Sequence, residues 1–227
     1  MFIFIKQYKN KKSNLFKMLI PVNKIFEIIS ENKILITGVF HVGAHECEEL
    51  SLYNSLGLTN DDVVWIDALD SKVEDAKNKG VPNVYKAVIT DKDDENVTFN
   101  VSNNCQSSSV LEFGTHSQEH PWVVFVNKTE EKSITVDTFF NRNNIDCSKY
   151  NFWNFDIQGA ELMALKGAVK NIQYASVLYI EVNINEVYKN CALIPEIDVF
   201  LEEYKFKRVF THITEHGWGD AIYIKEE

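Results

Sequence analysis

The chain has 227 residues, 45% of them hydrophobic and 25% charged, which is typical of a globular fold with a substantial core and excludes a largely disordered chain. Its formal net charge of -10 at pH 7 and its pI of about 5.1 would repel a phosphate backbone, so nucleic acid is not an expected partner. The four cysteines are far apart and match no metal-ligand spacing, which indicates free thiols in a reducing compartment, the cytoplasm.

The amino-terminal segment differs from the rest of the chain. It is short, carries a dense basic run from Lys6 to Lys17 and shows no sustained period. We expect residues 1–17 to be a basic terminal extension that the fold does not need and that can be disordered, and residues 18–227 to form a single domain. The apolar start, Met1 to Ile5, is too short for a secretory signal or a membrane span, so no membrane contact is expected.

The first elements predict a strand, a tight turn and a helix. Apolar positions at helical spacing predict a helix over 21–31, with Pro21 in its first turn. The apolar run from Ile34 to Phe40 predicts a buried parallel strand, which Gly43-Ala44 interrupts before a helix over about 46–57. At the carboxyl edge of an open α/β sheet, such a turn lets a ligand approach the backbone closely.

A second strand and helix follow the same pattern. The sequence DDVVWID predicts a buried strand that ends in Asp67. A carboxylate at this position of a Rossmann-like sheet faces the cofactor ribose, because it can accept hydrogen bonds from both vicinal hydroxyls. A helix over about 71–79 precedes the third strand, Val84 to Ile89, and connections of this length imply parallel neighbours.

The middle of the chain is less regular. Val97 to Val101 alternates like an edge strand, residues 103–109 form a polar, serine-rich loop, and a helix is predicted from Thr135 to Phe140. The stretch from Gly114 to His120 carries two histidines and is of the kind that can cover a site. A simple solvated loop is the plainer interpretation of this stretch.

The stretch NFWNFDIQGAELMALKG, residues 151–167, repeats the opening pattern. A strand from Phe152 to Phe155, whose aromatic residues we place in the core, is followed by Asp156, Gln158 and a glycine turn into a helix. A strand over 177–182, which contains Glu181, and a helix over about 194–204 come next. The short loop between the runs 206–212 and 219–225 predicts a closing antiparallel hairpin.

From about Ile34 to Lys225 the chain resembles the FkbM-type S-adenosylmethionine-dependent methyltransferases. The sequence FHVGAHECEE is similar to the first motif of the family, D-x-G-A-N-x-G, and NFDIQGAELMALKG is similar to its more specific later motif, K-I-D-x-E-G-x-E-x-x-x-L-x-G. The serine pair before Leu111 and the run from Gly217 to Tyr223 also resemble the family. The sequence departs from these motifs at four positions, which hold His41, His45, Cys47 and Gln158.

The resemblance implies a fold and a cofactor. The fold is α/β, a Rossmann-like class I methyltransferase sheet of seven strands in the order 3-2-1-4-5-7-6, with the last strand antiparallel and helices on both faces. The cofactor is S-adenosylmethionine, placed over the first glycine turn. The residues that the resemblance places at this cofactor are His41, Gly43, Ala44, His45, Asp67, Ala68, Ala87, Val88, Asp156 and Gln158.

The resemblance also implies methyl transfer, and a hydroxyl acceptor then needs a base or a metal ion to remove or polarise its proton. The candidates are Asp156, Glu181 and His216, although each has a simpler interpretation as a loop-orienting, strand-end or surface residue. A divalent metal ion stays open, as does the oligomeric state. The favoured function is an O-methyltransferase that acts on a hydroxyl of a sugar, nucleotide-sugar or glycan.

Two alternatives stay open at this point. The departures at His41 and Gln158 motivate a catalytically silent relative that serves as a binding or interaction module. An NAD-dependent oxidoreductase is disfavoured, because the turn after the first strand lacks the GxGxxG fingerprint.

Overall fold

The structure is a computed structural model that describes residues 18–226, so the predicted basic extension lies outside the described residues. Its α-helices are α1 (Val22–Glu31), α2 (Leu50–Ser55), α3 (Asp70–Asn78), α4 (His116–Glu119), α5 (Val136–Arg142), α6 (Glu161–Lys166) and α7 (Ile194–Glu202). Its strands are β1 (Val39–Val42), β2 (Val63–Asp67), β3 (Val84–Lys86), β4 (Val88–Ile89), β5 (Asn96–Ser102), β6 (Phe125–Ile134), β7 (Phe152–Phe155), β8 (Val177–Asn183), β9 (Phe206–Ile213) and β10 (Trp218–Lys225).

Seven of these strands form the main sheet, in the order β3-β2-β1-β7-β8-β10-β9. Strand β10 is antiparallel to both of its neighbours, β8 and β9, whereas the pairs among the first five strands of this order are all parallel. Numbered within the main sheet, the order is 3-2-1-4-5-7-6. The predicted fold class, strand order and antiparallel last strand are therefore confirmed.

A small second sheet has the order β4-β6-β5. Strand β6 was not predicted, because its sequence FVNKTEEKSI is largely exposed and charged and shows no apolar alternation. The prediction of one third strand from Val84 to Ile89 was wrong. The chain pairs with β2 through Lys86, and after Ala87 it pairs with β6 instead, so Ala87 is the point at which the chain changes sheet.

The bounds around the first turn also differ from the prediction. The first strand begins at Val39 and not at Ile34, and Leu35 in the preceding segment is 79% exposed. The helix expected from about residue 46 begins only at Leu50. His45 and Cys47 have φ angles of +42° and +57°, which are incompatible with a right-handed helix and delay its start.

Side chains of the main sheet alternate between two buried layers. Phe40 of β1 packs with Trp153 of β7 and with helices α5, α6 and α7 on one face. Val39 of β1 packs with Phe152 of β7 and with helices α1, α2 and α3 on the other face. Because successive strand residues point to opposite faces, residues two positions apart share a face. The predicted helices on both faces and the predicted core aromatics of β7 are confirmed.

Two expectations about the chain's surroundings can be compared with the structure. All four cysteines are free. Across residues 18–226, none of the helices combines the length and the hydropathy that crossing a membrane would require.

Candidate active site

The turn after β1 is held by the neighbouring strand and packs against β7. The backbone N–H groups of Gly43 and Ala44 both donate to the carbonyl oxygen of Ile66, at 2.9 Å each. Gly43 has a φ of +96°, and a Cβ atom at this position would lie 1.8 Å from the carbonyl oxygen of Asp156. Only glycine fits this place, because both the left-handed backbone and the contact exclude a side chain.

Asp67 ends β2 beside this turn. Its Oδ2 accepts a hydrogen bond from the His45 N–H at 2.7 Å, and its Oδ1 accepts one from the Leu69 N–H at 2.8 Å. Burial raises the pKa of Asp67, and the two N–H donors oppose that shift. The carboxylate therefore shapes the turn and keeps further lone pairs for a ligand.

Two of the departures from the family motif fall on left-handed residues of the turn. His45 and Cys47 stand where the motif has Asn and Gly, and both hold φ angles near +50° in this structure. Asn and Gly adopt this conformation with the least strain, so the backbone geometry expected of the motif is present without its usual residues. Burial raises the pKa of the Cys47 thiol to about 12, so this cysteine is unreactive at neutral pH.

His41 lies below the turn in an uncharged hydrogen-bond chain. Asn154 Nδ2 donates to the Tyr53 hydroxyl at 3.0 Å, and this hydroxyl lies 2.9 Å from His41 Nδ1. An amide nitrogen only donates, so the Tyr53 proton is available to His41 Nδ1. Burial lowers the pKa of His41 to about 4, against the pull of nearby Asp156 and Glu48. The imidazole is therefore neutral at pH 7.

Gln158 joins two carboxyl groups at the ends of neighbouring strands. Its Nε2 donates to Asp156 Oδ1 at 2.6 Å and also to Glu181 Oε2, and its Oε1 accepts from the Tyr188 hydroxyl at 2.6 Å. Burial raises the pKa of Glu181 well above its usual range, and the nearby carboxylates of Asp156 and Glu161 raise it further. Glu181 therefore favours its protonated form.

Glu161 supports the loop that carries these groups. Its Oε1 accepts from the N–H of Ile157 at 2.9 Å and from the N–H of Gly159 at 3.2 Å. Burial raises the pKa of Glu161 to about 8 in spite of these donors. The motif glutamate at this position thus holds the loop from Asp156 to Gly159 in shape.

Asp220 of β10 lies directly opposite Glu181. Its Oδ2 accepts from the Leu19 N–H at 2.9 Å and from the Tyr179 hydroxyl, and the Ile20 N–H donates to that same hydroxyl at 3.4 Å. Burial raises the pKa of Asp220 to about 7. These contacts fix residues 18–20 to the sheet, where Met18 closes one side of a cavity.

The cavity has a volume of about 350 Å³ and lies between the first turn, the ends of β7, β8 and β10, and residues 104–123. It brings together all of the predicted site residues except Ala44 and His216. Ala44 is buried behind the turn. His216 Nδ1 lies 2.9 Å from Glu119 Oε2, and its ring centroid is 4.7 Å from that of His120, which does line the cavity.

Asn154, Tyr179 and Asp220 also line the cavity and were not predicted from the sequence. A usable signal was present for two of them. Asn154 lies two positions before Asp156, and Tyr179 lies two positions before Glu181, so strand alternation puts each pair on one face. To predict Asp220 as a lining residue, the register of the closing hairpin would have to be known, and the sequence does not specify it.

The expectation of a simple solvated loop from Gly114 to His120 was wrong. His116 is buried, lines the cavity and stacks on Phe113 with ring centroids 4.3 Å apart. Burial lowers the pKa of His116 to about 4. Trp122, which also lines the cavity, is 69% exposed. The segment therefore forms a wall with an aromatic rim.

The cavity is acidic. Its titratable lining, taken over residues 18–226, includes no lysine or arginine. Within the same residues no group of three or more histidine, cysteine, aspartate or glutamate side chains is arranged to hold a metal ion. The carboxyl groups that line the cavity are those of Glu48, Glu49, Asp67, Asp156, Glu181 and Asp220.

The sheet order and this cavity at its carboxyl edge are those that a resemblance to the S-adenosylmethionine-dependent methyltransferases implies. The family model described as the methyltransferase FkbM domain matches residues 39–208, which is most of the chain. The chain belongs to the FkbM methyltransferase family, and the resemblance drawn from its motifs is confirmed.

Solved structures that match this chain share little sequence with it. Magnesium protoporphyrin IX methyltransferase from Synechocystis PCC 6803, with bound S-adenosylmethionine, is 11% identical at a TM-score of 0.44 and covers 90% of this chain and 78% of its own. Thermoplasma acidophilum 1320 is 10% identical at a TM-score of 0.40 and covers 89% of this chain and 85% of its own. An S-adenosylmethionine-dependent methyltransferase from Aquifex aeolicus is 13% identical at a TM-score of 0.32 and covers 90% of this chain and 98% of its own. Comparison with the curated proteins gave no match.

The donor set of the cavity fits S-adenosylmethionine. This cofactor carries a cationic sulfonium and an ammonium group, and the cavity presents carboxylates with no lysine or arginine among its described lining residues. Asp67 keeps free lone pairs for two adjacent hydroxyls, and Ala68, Ala87 and Val88 line the same side with small apolar groups.

Proposed function

We propose that this protein transfers a methyl group from S-adenosylmethionine to a hydroxyl of a sugar or glycan, with Asp156 as the general base. The observation that supports this assignment is the position of Asp156. Its N–H donates to the Val42 carbonyl at 3.0 Å, its own carbonyl packs on Gly43, and its side chain lines the cavity. A carboxylate thus lies directly beside the turn over which we place the cofactor.

The cofactor, when bound, supplies an electrophilic methyl group on a neutral leaving group, so the protein has to position the acceptor and remove its proton. Asp67 would hold the ribose hydroxyls. Asp156 accepts the proton of the acceptor hydroxyl. Gln158 holds the Asp156 carboxylate through Oδ1, and the protonated Glu181 beside it adds no second negative charge.

The aromatic rim favours a sugar ring as the acceptor. Trp122 and Trp218 both line the cavity, and Trp122 leaves most of its surface free. An indole face offers a broad apolar platform against which the C–H face of a sugar can pack.

His216 and a divalent metal ion are the remaining candidates for activating the hydroxyl. His216 would act through the edge of the cavity, where its neighbour His120 lies. As described, residues 18–226 offer a metal ion fewer than three suitably placed histidine, cysteine, aspartate or glutamate ligands. Activity that survives EDTA would favour Asp156 or His216 over a metal-held alkoxide.

The test has two stages. Calorimetry with S-adenosylmethionine and, separately, with NAD asks which cofactor binds, and absence of heat with S-adenosylmethionine would contradict the proposal. Incubation with methyl-labelled cofactor and a panel of sugars, nucleotide sugars and glycans then asks for transfer. Binding of S-adenosylmethionine without transfer to any hydroxyl would favour the catalytically silent alternative.

A further inference from the structure

The acceptor end of the cavity carries more carboxyl groups than the cofactor needs. Asp156 directly follows β7, while Glu181 and Asp220 lie opposite each other on the next two strands of the sheet, β8 and β10. Asp220 is on β10, three strands away from the turn after β1. At about 4.8 Å per strand this places Asp220 roughly 14 Å from the turn. A cofactor held over the turn therefore leaves the Asp220 carboxyl group to another ligand.

The Asp220 carboxyl group is buried and is held in place by hydrogen bonds. Its side chain is 8% exposed, and the Leu19 N–H and the Tyr179 hydroxyl both donate to Oδ2. These hydrogen bonds fix the carboxyl group and leave Oδ1 available to a ligand in the cavity. Desolvating a carboxylate without a cation is costly, so a positively charged ligand group gains from this position.

The side-chain carbonyl oxygen of Asn154 is a second, independent group that lacks a hydrogen-bond donor. Asn154 is 3% exposed and lines the same cavity, and its Oδ1 has no hydrogen-bond partner among the described residues. Its Nδ2 is already engaged with Tyr53. A buried carbonyl oxygen without a donor is unfavourable, which indicates that a ligand supplies one.

The two free positions described above, Asp220 Oδ1 and Asn154 Oδ1, are both hydrogen-bond acceptors. An ammonium group brings three donors and no acceptor, whereas a phosphate brings only acceptors and a negative charge. From this match, and on the basis of the proposed function, we infer that the acceptor is an amine-bearing hydroxyl compound such as an amino sugar, with its ammonium group at Asp220. A phosphate or diphosphate inside the cavity would be repelled by its carboxylates and would meet no lysine or arginine among the described lining residues.

Asp220 also has a structural role, because it holds Leu19. The variant Asp220→Asn separates the two roles, since the amide oxygen can still accept from Leu19 and Tyr179 while the negative charge is lost. Glu203→Gln, which removes an exposed carboxylate at the end of α7, is the matched control. Thermal unfolding of both variants shows whether the fold is retained.

The experiment compares three probes with the same ring. Calorimetry first measures S-adenosylmethionine binding, and failure here would count against the proposed function itself. The protein saturated with S-adenosylhomocysteine is then titrated with glucosamine, glucose and glucose 6-phosphate. We expect glucosamine to bind best and glucose 6-phosphate worst.

In Asp220→Asn we expect the preference for glucosamine over glucose to fall about tenfold, or about 1.4 kcal/mol, and in Glu203→Gln we expect it to be unchanged. Three outcomes would overturn the inference. The first is equal binding of all three probes, and the second is no binding of any of them by protein that binds S-adenosylmethionine. The third is an unchanged preference in a folded Asp220→Asn variant.

Discussion

Gly43 and Asp156 are in direct backbone contact, so the turn after β1 and the loop after β7 form one packed unit. A Cβ atom on Gly43 would approach the Asp156 carbonyl oxygen to 1.8 Å, and the Asp156 N–H donates to Val42, the residue before Gly43. Movement of one loop must therefore displace the other. The cofactor turn and the proposed base hold a fixed mutual position without any direct side-chain bond.

This contact predicts a severe effect of Gly43→Ala. The methyl group would both strain a φ of +96° and displace Asp156, and misplacement by about 1 Å can reduce turnover on the order of 100-fold. Gly57→Ala is a matched control, because its φ is +89° and nothing lies within 4 Å of the added Cβ. The control should cost only about 1–2 kcal/mol of stability. Urea unfolding and methyl-transfer assays of both variants would decide this, and similar losses in both would contradict the argument.

Asp67→Ala should weaken S-adenosylmethionine binding by on the order of 1–3 kcal/mol, since the ribose hydroxyls lose a charged acceptor. The change also frees the N–H groups of His45 and Leu69, which loosens the turn. Calorimetry gives the affinity. Asp61→Ala, which removes an exposed carboxylate before β2, is the control. An unchanged affinity in Asp67→Ala would remove this residue from the cofactor site.

Asp156→Asn should reduce turnover far more than cofactor affinity. The loss of a positioned general base typically costs on the order of 10²–10⁴ in rate, while the turn next to residue 156 keeps its backbone contacts. His216→Ala should retain most of the activity, because the structure places His216 outside the cavity lining. Steady-state kinetics and calorimetry measure both effects. Full activity in Asp156→Asn, with loss in His216→Ala, would assign the base to the histidine.

Gln158→Glu should destabilise the protein increasingly as pH rises. A third carboxyl group would lie within hydrogen-bond distance of Asp156 and Glu181, and mutual repulsion would raise its pKa above that of the unfolded chain. The unfolded state then ionises first, so stability falls as pH rises from about 4.5, by roughly 1–3 kcal/mol. Urea unfolding at pH 5 and pH 8 tests this, with the exposed Gln173→Glu as control. Equal pH dependence in both variants would contradict the prediction.

Glu161 makes the wild-type protein itself sensitive to alkali. Its pKa is raised from its usual 4.5 to about 8, so the unfolded chain loses this proton at a lower pH than the folded chain. Stability from this group is present below about pH 4.5 and is lost as the pH rises towards 8. Glu161→Gln keeps an acceptor for Ile157 and Gly159 and removes the titration.

The slope of unfolding free energy against pH between 5 and 8 should therefore be smaller in Glu161→Gln than in wild type. It should not vanish, because Glu181 and Asp220 have raised pKa values for the same reason, burial. Glu203→Gln should leave the slope as it is. A wild-type slope in Glu161→Gln would show that the carboxyl group is not buried in solution.

Much of the main sheet could be predicted because its strands are buried on both faces and appear as apolar runs. Strand β10 of the closing hairpin and the strands that end at Asp67 and near Glu181 are of this kind. Strand β6 could not be predicted, because edge pairing with β5 needs no apolar pattern. The start of β1 was misplaced because the apolar run before it packs on the core through Ile36 without pairing in the sheet, and its Leu35 is exposed.

The site was accessible to prediction where a motif marks it, and hidden where only three-dimensional pairing creates it. Asp67 ends a strand and Asp156 follows one, and each precedes a turn, so both could be predicted from the sequence as candidate site residues. Asp220 and Tyr179 meet through antiparallel pairing of strands far apart in the chain. Gln158 bridges Asp156 and Glu181 from a left-handed backbone conformation with a φ of +58°. The neighbouring sequence does not predict this conformation.

The alternation of the sheet also bears on folding fidelity. Asp156, Glu181 and Asp220 share one face, while their neighbours Phe155, Ile180 and Ala221 belong to the opposite apolar core. A pairing error of one residue in any of these strands would drive an acid into that core and expose an apolar side chain. The three acidic residues that we place in the active site therefore destabilise sheets with the wrong register. Selection for the reaction and selection for correct strand pairing thus act on the same residues.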